Sequence, residues 1–367
     1  MPINPFENLH KYEKAGDNSW IAGKYMITRH TSEPDAPYRE DGEGGFLTLA
    51  PLNPPFEHDN CVEEVDNNSW IIGKVIISRH VSRPDAPCWE DGEGGFFSIS
   101  KAPNPKPATR PVSDACPLIE NHSFDHTACK GTWEIGKAYL RIGANLGTEE
   151  HVTLEALSKR SLGFQVPKVY YHETHDELYH IVYSRLPGKT ICELWPKTDD
   201  KALKTQWAQQ IAAAYHELSF WRGDRISGID GNPLADWNLS TEFPPTYSSC
   251  DPETLRKNCE DIGFDCSDIV FAHNCMMPLS FTIDGMGGTL GISHWEIAGF
   301  LPKDWVRTKT KGNSSLDSIK FTRTWPGKMV KEWADEIENA LKEKGFRECR
   351  KGESQWRSKV NDKWRGF

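Results

Sequence analysis

Residues 17–51 read DNSWIAGKYMITRHTSEPDAPYREDGEGGFLTLAP, and residues 67–103 read NNSWIIGKVIISRHVSRPDAPCWEDGEGGFFSISKAP, the same text displaced by 50 positions from Trp20 to Trp70. A repeat of this kind constrains the fold more than any single motif, because whatever one copy forms, the other must also be able to form. Each copy has an alternating β-branched run (WIIGKVIISRH), a Pro/Asp/Gly turn cluster and a second short apolar run (GGFFSIS), which predicts a small set of paired strands. A shortened echo, WEIGKAYLRI, stands at 133–142. Two full copies are fewer than the roughly three that a solenoid needs to bury its interior. The expectation is therefore a duplicated β-rich extension over residues 1–100 in which one copy packs against the other. EDGEGG, at 40–45 and 90–95, lacks the alternating oxygen ligands and distal Glu of a calcium loop and reads as a solvated turn.

The segment KAPNPKPATRPVSDACP (101–117) is proline-rich and poor in charge, and residues 101–130 are expected to be a linker. Beyond it the pattern mixes strands and helices. TWEIGKAYLRIG reads as strand, TEEHVTLEALSKRS as a helix starting near Thr148 with acidic residues in its first turn, and VPKVYYHETHDELYHIVYSRLPG as two strands across a turn. Leu203, Trp207, Ile211, Tyr215 and Leu218 share one helical face. So do Met329, Trp333, Ile337 and Leu341, with Gly345 as a C-terminal cap. A sheet with one helix followed by a helical half gives an α+β fold with a kinase-like N-lobe over 131–190 and a helical C-lobe over 191–367, with the cleft between lobes as the default ligand site.

Several function classes are disfavoured. The net charge of -10 and the scattered basic residues argue against a nucleic-acid partner. No run of about 18 apolar residues could span a membrane, and the N-terminus lacks the basic start and apolar core of a secretory signal, so a cytoplasmic location is expected. Ten cysteines without CxxC pairs or regular spacing read as reduced thiols, mostly small buried side chains, rather than as disulfides or zinc ligands.

From about residue 131 to 345 the chain resembles the aminoglycoside phosphotransferase family, in particular its fungal, choline-kinase-like members. Four segments carry the likeness in order: HVTLEALSKRSLGFQVPKVYYH, IVYSRLPGKTICELWP, FAHNCMMPLSFTID and LGISHWEIAGFLPKDWVRTK. The resemblance implies a bilobal protein-kinase-like fold. It also implies a hinge from Ser184 through Leu186 to Gly188 whose backbone would pair with an adenine ring, and a catalytic loop opening at His273.

Phosphoryl transfer needs an Asp to orient the attacking hydroxyl, an Asn and a second Asp to hold magnesium, and a Lys–Glu pair to place the phosphates. On the family pattern, Cys275 stands at the catalytic Asp, Ser280 at the Asn, His294 at the second metal Asp and Arg141 at the Lys; Glu150 alone matches. A thiol with an ordinary pKa of about 8.5 binds no magnesium, and imidazole offers nitrogen to a cation that prefers hard oxygen. No resident metal or cofactor is expected, and the chain is expected not to transfer phosphate.

Three readings follow. One is a pseudokinase-like protein that binds a small molecule in the interlobe cleft or has been turned to isomerisation, dehydration or cyclisation within fungal specialised metabolism. In that reading Cys275 and His294 form a thiol–imidazole couple bordered by His273 and Ser280. Another is an active small-molecule kinase that uses ATP and Mg2+ with displaced carboxylates such as Asp284 or Glu296. The last is a non-catalytic protein that contacts a protein partner through residues 1–100.

Overall fold

The computed structural model describes residues 13–16, 19–22, 25–32, 38–40, 46–51, 62–120, 129–144, 147–236, 238–242, 247–285, 288–311 and 325–365. The first copy's Pro/Asp turn, and its EDGEGG beyond Glu40, lie outside them. The chain divides into two compact units, residues 1–61 with 358–367, and residues 62–357.

In the first unit, β1 (Glu13–Gly16), β2 (Ser19–Ala22), β3 (Tyr25–His30), β4 (Tyr38–Glu40) and β5 (Phe46–Pro51) form an antiparallel sheet in the order β1-β2-β3-β5-β4.

The second unit opens with β6 (Val62–Asp66), β7 (Ser69–Ile72), β8 (Val75–His80), β9 (Cys88–Glu90), β10 (Phe96–Lys101) and β11 (Arg110–Pro111), ordered β11-β6-β7-β8-β10-β9. It continues with β12 (Leu118–Glu120), β13 (Cys129–Ile135), β14 (Ala138–Gly143), helix α1 (Glu150–Ser158), β15 (Val169–His175) and β16 (Leu178–Ser184), whose strands are ordered β12-β13-β14-β16-β15. Apart from the added β11, all three sheets share one wiring, in which the fifth strand inserts between the third and the fourth. The echo at 133–142 is thus the central hairpin of a third copy. In that copy a helix, α1, replaces the short Pro/Asp turn between the third and fourth strands. The W-x-x-G-K text survives because it makes the hairpin. Ile72 pairs with Val75 and Ile135 with Ala138 across two residues, and Gly73 (φ 56°) and Gly136 (φ 58°) take the left-handed first position of a type II′ turn.

The second copy buries its apolar face on the third sheet, and the two form a sandwich. Trp70, Ile72, Val75, Ile77, Trp89, Phe97 and Ile99 meet Trp133, Ile135, Ala138, Leu140, Ile142 and Val182. The faces are locked at one edge by Trp89 Nε1 donating to Ile135 O (2.7 Å) and Lys137 N to Glu90 O (3.0 Å). Alternation along β14 does the rest: Ala138, Leu140 and Ile142 point into the sandwich, while Tyr139 and Arg141 belong to the opposite face.

Over its described residues 101–120, the segment expected from composition to be a linker is tied into the sheets. Arg110–Pro111 pairs with β6, and β12 opens the third sheet. Buried Glu64 draws the chain in, accepting from Arg110 Nη2 (2.5 Å) and from Ser113 N (2.9 Å). The second EDGEGG is the solvated turn expected, closed by Asp91 Oδ1 accepting from Glu93 N and Gly95 N.

The remaining elements are β17 (Lys189–Thr190), α2 (Ile191–Leu194), α3 (Lys201–Leu218), α4 (Pro252–Ile262), β18 (Ile269–Ala272), β19 (Phe281–Ile283), β20 (Leu290–Ile292), β21 (Gly299–Pro302), α5 (Lys303–Thr308), α6 (Gly327–Glu343) and α7 (Arg350–Arg365). Their ends carry the expected chemistry: a capping box from Thr190 and Glu193 on α2, Asp200 and Asp251 as N-caps of α3 and α4, and Gly263 (φ 99°) closing α4. The predicted stripes of α3 and α6 face a common core through Trp207, Ile211 and Tyr215 on one side and Trp333, Ile337 and Leu341 on the other, with Leu203 and Met329 at its margin. Trp195 joins them, edge-on to Trp333 at 5.1 Å. Antiparallel sheets followed by a helical half make the α+β, two-lobed arrangement that the sequence implied. Among the described residues, no helix is long and apolar enough to cross a membrane.

Leu140 is fully buried between the two sheets of the sandwich. Leu140→Ala is expected to lower unfolding free energy by about 2–5 kcal/mol, read as a fall in the urea midpoint.

Candidate functional site

Two strand pairings bring the candidate residues together. β18 ends at Ala272, directly before His273, and pairs with β21, which begins three residues after Glu296. β19 and β20 form a hairpin with Phe281 opposite Ile292, so Ser280 and Ser293 flank its open end and are joined by Ser293 N donating to Ser280 O (2.9 Å). The loops 273–280 and 293–298 therefore run side by side. His273 spans them: its Nδ1 lies 2.8 Å from Cys275 O and its Nε2 lies 2.6 Å from Ser293 O. Burial pushes this histidine down to about 4, against the upward pull of these carbonyls, and in its neutral form the ring can donate to only one of them.

Cys275 is buried, with Sγ 3.1 Å from Ser280 Oγ. Burial pushes its thiol up, against the opposing pull of Ser280. A thiol–imidazole nucleophile needs the reverse shift, so the activation expected of a Cys275–His294 couple is not what this environment produces. His294 is buried too, and its Nδ1 lies 3.0 Å from Ser293 Oγ. Its backbone is left-handed (φ 65°), as is that of Asn274 (φ 61°). Such a conformation costs about 1–3 kcal/mol for an ordinary side chain and persists only where surrounding contacts dictate it.

Those contacts are visible at Asn274, which no sequence motif singles out. Lys309 Nζ donates to Asn274 O (2.9 Å), Asn274 Oδ1 (3.0 Å) and Asp236 Oδ2 (3.1 Å); Trp305 Nε1 and Asn274 Nδ2 each donate to the same Asp236 oxygen at 2.9 Å. Burial alone would raise the Asp236 carboxyl, but Lys309 and the three kinds of donor around it hold it below its ordinary value. Asp236 sits in an irregular stretch with no periodicity or motif, so nothing in the sequence marks it.

The other half of the candidate site is built around Arg141. Its guanidinium reaches Glu150 Oε2 (2.7 Å) and Glu296 Oε2 (3.0 Å), and Trp295 N donates to Glu150 Oε1 (2.9 Å). The Arg141–Glu150 pair is the one the resemblance implies. Glu296 is the addition, and it carries a second negative charge into the pair. Burial pushes Glu150 up to about 7, with Arg141 opposing and Glu296 reinforcing. Asp284, the other carboxylate considered as a replacement, is exposed at the turn after β19.

The hinge is closely packed. Ser184 N donates to Lys168 O (2.8 Å), and Ser184 Oγ accepts from Lys168 N (2.9 Å). Leu186 lies over Gly291 of β20, where an added Cβ would come within 3.1 Å of Leu186 Cδ1. Gly188 (φ 91°) sits so close to β19 that a Cβ would strike Ile283 O at 2.0 Å. On the Arg141 face of β14, Tyr139 packs against Tyr183 with ring centroids 6.0 Å apart, and Arg185 lies 5.6 Å over the Tyr139 ring. A cavity of about 340 Å³ lies near the N-terminus of α1, lined by Glu149, Thr174, Glu177, Tyr179, Asp230 and Asn232 among others. Neither it nor a second cavity of about 550 Å³ between α3 and α6 is lined by any of the residues singled out from the sequence.

No protein-family model matches the chain, and no curated protein matches it. Among solved structures, an aminoglycoside phosphotransferase, APH(4)-Ia, in ternary complex with AMP-PNP and hygromycin B, aligns with 70% of this chain and 94% of its own at 14% identity, with a TM-score of 0.37. That overlap is too loose to bear on residues.

Two outcomes test this geometry. A carboxyl raised from 4.5 to about 7 binds its proton more tightly when folded, so it costs stability progressively as pH rises through that window. His273, lowered to about 4, works in the opposite sense and loses stability as pH falls below its ordinary value of 6.5. Glu150→Gln should therefore remove a downward slope between pH 4.5 and 7 while leaving the His273 contribution intact, seen as a wild-type minus variant difference in urea midpoints. Lys309→Met leaves Asp236 buried without its cation and should cost about 3–5 kcal/mol by the same measurement.

Proposed function

We propose that this chain is an aminoglycoside-phosphotransferase-like protein that does not transfer phosphate and acts by binding a small molecule, in the setting of fungal specialised metabolism that the resemblance implies. The observation that carries this reading is Arg141 held between two carboxylates. The cation that would meet nucleotide phosphates is already neutralised by Glu150 and Glu296, so a triphosphate approaching it meets no net positive charge. The positions that would grip magnesium hold a thiol, a hydroxyl and an imidazole, in Cys275, Ser280 and His294, and none is the hard anionic oxygen the ion prefers.

Between binding and repurposed chemistry, the surroundings of Cys275 favour binding. A buried thiol raised above its ordinary pKa, hydrogen-bonded to Ser280, is a poor nucleophile and a poor base near neutrality. The reading in which displaced carboxylates rescue kinase activity loses both of its candidates, since Glu296 is spent on Arg141 and Asp284 stands exposed at a turn.

Calorimetric titration of the purified chain with Mg-ATP is expected to show no binding. Micromolar affinity that depends on magnesium, with phosphate transfer abolished by a chelator, would overturn the proposal.

A further inference from the structure

We propose that Lys309 and Asn274 form a modification site, at which the lysine amine condenses with the Asn274 side-chain amide, with Asp236 as proton carrier, to give an intramolecular cross-link and release ammonia. Lys309 Nζ lies 3.0 Å from Asn274 Oδ1. A carbonyl bond is about 1.23 Å long, so Nζ stands within about 4.2 Å of the Asn274 side-chain carbon. A torsional adjustment of the flexible lysine stem closes the difference to the roughly 3–3.5 Å of atoms poised to react. The orientation of the amide is fixed by its neighbours. Oδ1 accepts from Lys309 Nζ and from Trp305 Nε1 (3.2 Å), and Nδ2 donates to Asp236 Oδ2 (2.9 Å), so exchanging the two ends would set donor against donor and acceptor against acceptor. Asn274 O accepts from Nζ as well, at 2.9 Å, which holds the lysine on the loop.

Asp236 is placed to move the protons. Its Oδ1 accepts from Asn238 N (2.8 Å), while the single atom Oδ2 meets both the nitrogen that must lose protons, Lys309 Nζ at 3.1 Å, and the nitrogen that must gain one, Asn274 Nδ2 at 2.9 Å. Asp236, Asn274, Trp305 and Lys309 are all buried. Passing a proton from lysine to carboxylate there replaces two buried charges with two neutral groups, which eases the cost of burial. The Asp236 carboxyl is nonetheless held below its ordinary value, so the pair rests as ions and the neutral amine is the minor form. The reaction is accordingly slow, and it happens once per chain.

The step balances without any further reactant. Asp236 takes a proton from the Nζ ammonium, and the Nζ lone pair then forms a bond to the amide carbon. The negative charge that develops on Oδ1 is met by the Trp305 indole N–H. Asp236 passes its proton to Nδ2; the C=O bond re-forms, the bond from the amide carbon to Nδ2 breaks with its electron pair going to nitrogen, and ammonia leaves. That ammonia takes the surplus proton from Nζ. A lysine ammonium and a primary amide have become a secondary amide and an ammonium ion, Asp236 is again a carboxylate, and nothing is oxidised or reduced. The new bond joins the loop that opens at His273 to the C-terminal end of α5, 35 positions on.

The test is an intact-mass measurement of the purified full chain after prolonged incubation at neutral pH, followed by peptide mapping. The expected chain is lighter than its sequence by about 17 Da, one ammonia, and its map contains a branched peptide joining Asn274 to Lys309. Lys309→Arg and Asp236→Asn are expected to keep the full mass of their sequences. Full mass in the wild type, a loss that maps to a succinimide at Asn274 in a linear peptide, a loss of about 18 Da joining Lys309 to Asp236, or a cross-link that persists in Asp236→Asn would each overturn the proposal. The wild-type map decides the matter even if neither variant folds.

Discussion

Arg141 and the two carboxylates that hold it set the character of the cleft. Glu150 reaches it from α1, Glu296 from the loop before β21, and Trp295 N completes the coordination of Glu150, so one guanidinium ties the third sheet, its helix and the C-terminal half together. Burying a carboxylate is expensive, and the fold offsets the cost at Glu150 by pairing it with the half-buried Arg141, with burial still lifting Glu150 well above its ordinary value. The arrangement thus meets its own charge internally, with the guanidinium paired within the fold.

A second constraint acts from the other side of β14. Its sandwich face is apolar and must be covered, and the second copy of the repeat covers it with Trp70, Val75, Ile77, Trp89 and Phe97. That copy's apolar face is thereby committed to the core and is not open to a partner. Duplicating a sheet supplies a cover whose twist and strand spacing already match the sheet beneath it, which is one physical reason for a repeat to persist as packing.

The candidate loops show how polar residues are held in place by their neighbours. Asn274 and His294 are both held in left-handed backbone, the former by a buried Asp236–Lys309–Trp305 network and the latter beside Ser293. His273 lies between the two loops, with one ring nitrogen close to a backbone carbonyl of each. Cys275, between them, is a buried thiol that lies 3.1 Å from Ser280 Oγ and is raised by burial.

Local pattern determined much of this protein. The alternation of WIIGKVIISRH, the W-x-x-G-K turn, the stripes on α3 and α6 and the capping residues of α2 to α4 are short-range features, and each is legible because propensity and periodicity act over a few residues. The family resemblance carried by HVTLEALSKR, SRLPG, FAHNC and ISHWE implied one cleft for Arg141, Glu150, Cys275 and His294. Only the tertiary structure decided what those residues do there. Whether a thiol is raised or lowered depends on burial and on Ser280; whether Arg141 is available depends on Glu296, 155 positions away; and Asp236 acquires its role solely by meeting Lys309 and Asn274. Likewise, the third copy of the sheet kept its wiring after its text had diverged, because strand order is held by pairing and burial that many sequences satisfy.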